Sequence, residues 1–169
     1  MRKHLLYAAF IVIFVLTISV YVFFALFPPE ELSDRPGRRF LMALLAFGFV
    51  TAFVEGLAAT KIMTDPEERW LAIPLLLGSL VLFLLCFAGL YLQLSFAYPD
   101  AFQPNGPLTR MAAIYFTVVT FATVGYGDIA PNSDLARGLV TVEILFAMLY
   151  AVLVFGVIGS LIMHSARNK

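Results

Sequence analysis

Charged residues are scarce in this chain, and cysteine is nearly absent. Asp, Glu, Lys and Arg together make up 13% of the sequence, the formal net charge is zero, and no tract of basic residues occurs. Proteins that bind nucleic acid rely on basic surface, so this composition argues against that class. The single cysteine, Cys86, excludes an intrachain disulfide and is expected to be a small core residue.

Candidate catalytic side chains are equally few. The two histidines, His4 and His164, lie at opposite ends of the chain, each beside an apolar run. No pair of nucleophile and base, and no set of metal ligands, shares a recognisable spacing. The sequence therefore predicts neither an enzyme nor a resident cofactor.

Long apolar runs are what the chain has instead. Hydrophobic residues make up 62% of the sequence and the mean hydropathy is +0.93, whereas soluble domains are roughly 45–50% apolar. A helix needs about 20 residues to cross a hydrocarbon core of about 30 Å. Four runs are long enough, at residues 5–27, 40–63, 71–94 and 138–163. The first is too long for a secretory signal, so we expect it to be retained as a membrane helix.

The segment between the third and fourth runs is shorter and ends in a loop with two glycines. Residues 109–120 form an apolar helical pattern with Thr109 as its N-cap, and a helix of this length rises only roughly 18 Å. The loop at residues 123–128 reads Thr-Val-Gly-Tyr-Gly-Asp. Because glycine adopts positive φ at little cost, alternate glycines can turn successive carbonyls toward one side. A row of carbonyl oxygens can replace the water shell of a cation.

Residues 115–131 resemble the pore region of tetrameric potassium channels. The resemblance implies an all-α membrane protein with four transmembrane helices per subunit plus a re-entrant pore helix and filter loop, assembled as a homotetramer around a central pore. The implied parts are an outer helix at 71–94, a pore helix at 109–120, a filter at 123–128 and an inner helix at 138–163. Residues 70–169 then form the pore domain. Residues 1–69 form a two-helix membrane region that is a packing or regulatory collar.

The resemblance also implies roles for the residues of the loop. Potassium ions would be bound by the Thr123 hydroxyl and by four backbone carbonyls, those of Thr123, Val124, Gly125 and Tyr126. Gly127 would shape the outer mouth, and Asp128 would anchor the filter from behind. Tyr115 is expected to reach Asp128, and Thr120 is a further candidate for support of the filter. No cofactor is implied other than the K⁺ ions in the filter.

The chain departs from the family pattern at several positions. Ala122 stands where many relatives carry a second threonine, and Val119 stands where some bacterial relatives carry a glutamate that braces the filter aspartate. Ala147 lies about where the family often has a hinge glycine, while Gly156 and Gly159 lie further along the inner helix. Any bend of that helix is therefore expected nearer its cytoplasmic end, and the position of the gate stays open.

Two carboxylates fall within the apolar runs, where a charge costs roughly 2.5–3.5 kcal/mol on insertion scales. Glu143 is expected to brace the pore helix through Thr117, Thr120 or a neighbouring hydroxyl. The alternatives for Glu143 are a place on the cavity wall, where it would attract cations, and no specific role. Glu55 is expected to be a protonated or hydrogen-bonded residue packed against another helix, or else a proton sensor.

The predicted function is passive, K⁺-selective conduction across the plasma membrane. Voltage sensors of tetrameric potassium channels carry arginine at every third position of one helix. No such series of arginines occurs in this sequence. The expected partners are K⁺, three further copies of the chain and membrane lipids, with no nucleic acid. A pore loop that enters from outside puts both termini in the cytoplasm, and the positive-inside rule favours this by only six basic residues against five.

Three other functions are left open by the sequence. A less selective monovalent cation channel is disfavoured because Tyr126 and Gly127 are both intact. A proton-coupled transporter would use Glu55 and Glu143, but no inverted repeat relates the two halves of the chain. A non-conducting accessory subunit would use its first two helices to bind a partner.

Overall fold

The computed structural model describes residues 72–167 and six isolated helical positions before them, which are Val12, Val15, Ser19, Gly48, Val50 and Ile62. The predicted spans at 5–27 and 40–63 lie almost entirely outside the described residues, and so does Glu55. Of the isolated positions, Ile62 is buried in a cluster with Ala72 and Leu75.

Three helices and a two-stranded ribbon make up residues 72–167. In chain order they are α1 (Ala72–Ala97), β1 (Phe102–Gln103), α2 (Arg110–Phe121), β2 (Ala130–Pro131) and α3 (Asp134–Arg167). Helix α1 and the Asp134–Gly156 part of α3 are apolar and long enough to cross a membrane. Helix α2, with 12 residues, is too short to cross one. Both long helices extend a few residues beyond their predicted C-terminal ends at 94 and 163.

Two hydrogen bonds fix the start of α2, one within its first turn and one to the end of α1. Thr109 is the N-cap, as predicted, and its hydroxyl accepts a hydrogen bond from the N–H of Ala112 at 3.1 Å. One residue earlier, the N–H of Leu108 donates to the hydroxyl of Ser95 at 2.9 Å. Because Ser95 lies near the end of α1, the second bond places the start of α2 beside that end.

The predicted start of the inner helix at Gly138 is wrong, because α3 begins at Asp134. The hydroxyl of Ser133 accepts a hydrogen bond from the N–H of Ala136 at 3.2 Å, which satisfies one of the free donors of the first turn. Asp134 adds a negative charge where the helix dipole favours one. Gly138 therefore lies inside the first turns of α3 and does not delimit the helix.

An aromatic cluster joins α1, β1 and α2. Tyr91 of α1 is fully buried, and its ring meets Phe102 of β1 and Phe116 of α2 edge-on, with centroids 5.7 and 5.0 Å apart. Phe102 and Phe116 also contact each other at 5.6 Å. Edge-on aromatic pairs contribute about 0.5–1.5 kcal/mol each beyond the area they bury. The cluster therefore fixes α2 relative to α1 and to the ribbon.

The ribbon joins the segment before α2 to the segment before α3. Strands β1 and β2 are antiparallel, with Phe102 opposite Pro131 and Gln103 opposite Ala130. Asn132 continues the connection, because its backbone N–H donates to the carbonyl of Ala101 at 2.8 Å. The loop between α2 and β2, which contains residues 123–128, is thus held at its far end.

Candidate functional site

The loop at residues 123–128 begins directly at the C-terminal end of α2. The N–H of Thr123 donates to the carbonyl of Thr120 at 3.0 Å. The carbonyl of Val119 accepts two hydrogen bonds, from the N–H of Val124 at 3.0 Å and from the N–H of Gly125 at 3.4 Å. The last carbonyls of α2 therefore hold the first half of the loop in a tight turn.

Every second residue of the loop has a left-handed backbone. Thr123, Gly125 and Gly127 have φ values of 56°, 56° and 79°, whereas Val124 and Tyr126 keep negative φ. The prediction of positive φ for both glycines is confirmed. Alternation of this kind turns successive peptide planes the same way, so that their carbonyl oxygens can form one row.

Thr123 is the member of this alternation that the sequence did not predict. A β-branched residue at positive φ is an outlier, and such backbone strain costs of order 1–3 kcal/mol. It persists only where the surrounding structure compensates for it, and here Thr123 is followed at once by the two hydrogen bonds to Val119. Strain of this kind is concentrated at functional sites.

A single copy of the chain leaves this loop uncovered. Residues 122–128 are all exposed, and the aromatic side chain of Tyr126 is 71% exposed. Helix α3 has an equally uncovered apolar side, on which Val152 is 68% and Phe155 72% exposed. Leu145 and Met148 lie on the same side of α3 at helical spacing and are also exposed. The loop and this side of α3 therefore lack the contacts that a buried position would provide.

Tyr115 and Asp128 come together beside the loop, at the places the resemblance implied. The hydroxyl of Tyr115 donates a hydrogen bond to the carboxylate of Asp128. This bond is the main reason why the pKa of the Tyr115 phenol is raised. Tyr115 lies on α2 and Asp128 directly follows the second glycine. The bond therefore links the helix to the far part of the loop.

The partner of Glu143 is a hydroxyl that the sequence did not identify. Its side chain is 0% exposed, and its Oε2 atom accepts a hydrogen bond from the hydroxyl of Tyr91 on α1. Thr117 donates instead to the carbonyl of Ala113 in its own helix, at 3.0 Å. The predicted contact of Glu143 with the Thr117 or Thr120 hydroxyl is therefore wrong. Complete burial of the Glu143 side chain is also incompatible with the predicted alternative, a place on a cavity wall. Oε1 of Glu143 has no hydrogen-bond partner among the described residues.

The hydrogen bond from Tyr91 places Glu143 within the aromatic cluster. Since α3 begins at Asp134, Glu143 lies nine residues into the helix, or about 14 Å at 1.5 Å per residue. Sequence reasoning missed Tyr91, although a buried tyrosine hydroxyl generally needs a partner. That requirement and an intramembrane carboxylate could have suggested the pair, but the register between α1 and α3 is needed to establish it.

The two glycines proposed as a bend lie in the second half of α3. Helix α3 is continuous from Asp134 to Arg167, and both Gly156 and Gly159 are within it. A β-carbon added at either position would meet nothing within 4 Å. The bend at these glycines stays a prediction.

Comparison with known proteins gives matches over the region just described. A family model described as an ion channel matches residues 75–164. Two-pore potassium channel 4 of Arabidopsis thaliana is 32% identical over 83 residues, which are 49% of this chain and 28% of that protein. Inward rectifier potassium channel Kirbac3.1 of Paramagnetospirillum magnetotacticum is 37% identical over 82 residues, 44% of this chain and 28% of that protein. No solved structure matches the chain.

Proposed function

Because this chain belongs to the pore-loop potassium channel family, we propose that it conducts K⁺ selectively and passively as a homotetramer around a central pore. The observation that carries the proposal is the left-handed backbone at Thr123, Gly125 and Gly127, directly after a helix too short to cross the membrane. A membrane protein tolerates non-helical backbone at that depth only where it is buried in protein or lines a water-filled path.

The proposed ion sites are made by the backbone. Carbonyls of Thr123, Val124, Gly125 and Tyr126, with the Thr123 hydroxyl, replace the water shell of K⁺. One loop supplies oxygens on one side of an ion only, so a closed ring of copies is needed to surround it, and closed oligomers are usually cyclic. The exposed loop and the exposed apolar side of α3 are the surfaces that such a ring would cover.

The proposed support of the filter comes from two directions. Tyr115 holds Asp128 from α2, and the hydrogen bond from Tyr91 to Glu143 holds α3 against the aromatic cluster that positions α2. Thr120 contributes through its carbonyl, which accepts the N–H of Thr123. In this proposal Glu143 acts on the filter through Tyr91 and Phe116 and does not contact the pore helix hydroxyls.

The remaining parts of the proposal concern the membrane arrangement. Residues 1–69 supply two further transmembrane helices as a packing or regulatory collar, with Glu55 as an intramembrane regulatory residue, and both termini lie on the cytoplasmic side of the plasma membrane. A pore loop that enters from outside, preceded by three spans and followed by one, gives this topology, because an odd number of crossings separates the loop from each terminus.

Ion selectivity is the property that tests the proposal most directly. The full chain, purified and reconstituted in liposomes or planar bilayers, is expected to carry a current whose reversal potential follows the K⁺ gradient. The reason is that the left-handed backbone at Thr123, Gly125 and Gly127 allows the carbonyls of residues 123–126 to form one row. A reversal near zero in opposed K⁺ and Na⁺ solutions would favour the less selective cation channel. Complete absence of current from verified tetramers would favour the accessory subunit.

Opening of the channel is expected to depend only weakly on voltage. The sequence contains no ladder of arginines at every third position of an apolar run, and each elementary charge moved across the membrane contributes only about 2.3 kcal/mol per 100 mV. The measurement is a conductance–voltage curve of the reconstituted full chain in symmetric KCl. A steep curve that requires many gating charges per channel would contradict the expectation and reveal a sensor of another kind.

A further inference from the structure

Tyr150 of α3 forms a second polar connection between the two long helices. Its hydroxyl donates a hydrogen bond to the backbone carbonyl of Leu76 on α1. The hydroxyl of Ser79 lies 2.9 Å from the Tyr150 hydroxyl and 2.9 Å from the same carbonyl. Ser79 and Tyr150 are both buried. This contact was not predictable from the sequence, since Tyr150 lies more than 70 positions after Leu76 and Ser79.

The ring of Tyr150 contacts the pore helix at the same time. Its centroid is 6.1 Å from that of Phe121, in an edge-on arrangement. Phe121 is the last residue of α2 and precedes the strained Thr123 by two positions. Phe121 also packs edge-on against Phe83 of α1, at 5.6 Å. One side chain of α3 therefore touches both α1 and the residue from which the filter loop starts.

Tyr150 is buried beside an open groove between α1 and α3. The groove has a volume of about 280 Å³ and is lined by apolar side chains, among them Leu77 and Ile158, which are 58% and 46% exposed. An apolar groove offers the tyrosine hydroxyl no polar partner on that side. The hydrogen bonds of the hydroxyl to α1 therefore add a directional constraint to the packing that holds the ring beside Phe121.

The position of Tyr150 along α3 makes this contact relevant to movement of the helix. Tyr150 lies two turns after Glu143 on the same side of α3, so the helix is connected to α1 at two levels. The lower connection, made by Tyr150, is the one nearer Gly156, where a bend is proposed. A displacement of the second half of α3 would break the lower connection before the upper one.

We propose that Tyr150 is a positioning residue for conduction, whose hydroxyl fixes α3 to Leu76 and Ser79 and whose ring thereby fixes Phe121 at the base of the filter. The proposal rests on the proposed channel function. Movement of α3 that withdraws the hydroxyl from α1 also removes the ring from Phe121. The open probability of the pore then depends on whether these hydrogen bonds are made.

Single-channel recording of the reconstituted full chain tests this. Tyr150→Phe removes the hydroxyl and keeps the ring, and Ser79→Ala removes the neighbouring hydroxyl. Both are expected to change the ratio of open to closed time in the same direction, by about fivefold for loss of a buried hydrogen bond. The double variant should differ little from Tyr150→Phe, because the two changes break one connection. Single-channel current and reversal potential should stay as in the unmodified chain.

A matched control and a second variant separate this role from general damage. Tyr98→Phe removes the hydroxyl of an exposed tyrosine and should leave the open probability unchanged. Phe121→Leu removes the ring contact. When Tyr150→Phe is added to this variant, the open probability should change little further. An unchanged open probability in Tyr150→Phe, or additive effects with Ser79→Ala, would overturn the proposal. Absence of current from the unmodified chain would instead overturn the channel function itself.

Discussion

Replacement of Gly125 by alanine is expected to abolish K⁺-selective current while leaving the helices folded. Gly125 has φ of 56°, a conformation in which a β-carbon clashes with the backbone. The substitution would cost of order 1–3 kcal/mol in each copy if the loop kept its shape. Because a ring of copies incurs that cost at every subunit, we expect the loop to change shape and the row of carbonyls to be lost. The measurements are K⁺ flux and reversal potential of the reconstituted variant.

Gly138→Ala provides a closely matched control. At both positions an added β-carbon would meet nothing within 4 Å, so the two substitutions do not differ in the space available. They differ in backbone, because Gly138 lies within helix α3 and has no positive φ. Alanine is favoured over glycine inside a helix by about 1 kcal/mol, so this variant should conduct like the unmodified chain. Selective current in Gly125→Ala would show that the backbone of the loop does not determine ion selection.

The pair formed by Tyr91 and Glu143 is expected to produce the second large effect. Glu143→Val leaves the buried Tyr91 hydroxyl without its acceptor, and Tyr91→Phe leaves the buried carboxyl without its donor. Each loss costs about 1–3 kcal/mol per subunit. We expect both variants to lower the temperature at which tetramers survive in detergent and to lower the open probability. Glu143→Gln keeps an acceptor for Tyr91, so it should assemble and conduct, with an altered open probability.

The double variant Tyr91→Phe with Glu143→Val distinguishes pairing from simple packing. Removal of both polar partners leaves no unsatisfied buried group, and such replacements can be nearly neutral. The double variant should therefore be more stable than either single variant. If the two single effects instead add in tetramer survival, the two residues act independently. If Glu143→Val matches the unmodified chain in both assays, the supporting role of Glu143 should be abandoned.

Features governed by neighbouring residues were predictable from the sequence. The N-cap at Thr109, the short apolar helix after it and the positive φ of Gly125 and Gly127 follow from rules that act over a few positions. The predicted start of α3 was wrong for a related reason. The apolar run begins near Gly138, whereas the helix begins at a polar first turn capped by Ser133. Counting apolar residues identifies the part that suits a membrane, and the helix extends beyond it.

Contacts between distant segments could not be predicted in the same way. The partner of Glu143 depends on how α1 and α3 are aligned, and Tyr91 precedes it by 52 positions. Polar residues of α2 are nearer to Glu143 in sequence and were the natural candidates. The same holds for Tyr150, whose acceptor is a backbone carbonyl that no residue type identifies. The positive φ of Thr123 was missed because β-branched residues rarely adopt it.

The loop at residues 123–128 is tied at both ends, by the Val119 carbonyl at its start and by the β1–β2 ribbon at its end. Its conformational entropy is therefore lost when the chain folds, and not when an ion arrives. In the proposed channel each ion would exchange its hydration shell for oxygens that are already in position, with little ordering cost at each step. A loop that closed around every ion would hold it longer and pass fewer ions per second. Preorganisation of this segment thus favours rapid ion exchange over tight binding, which conduction requires.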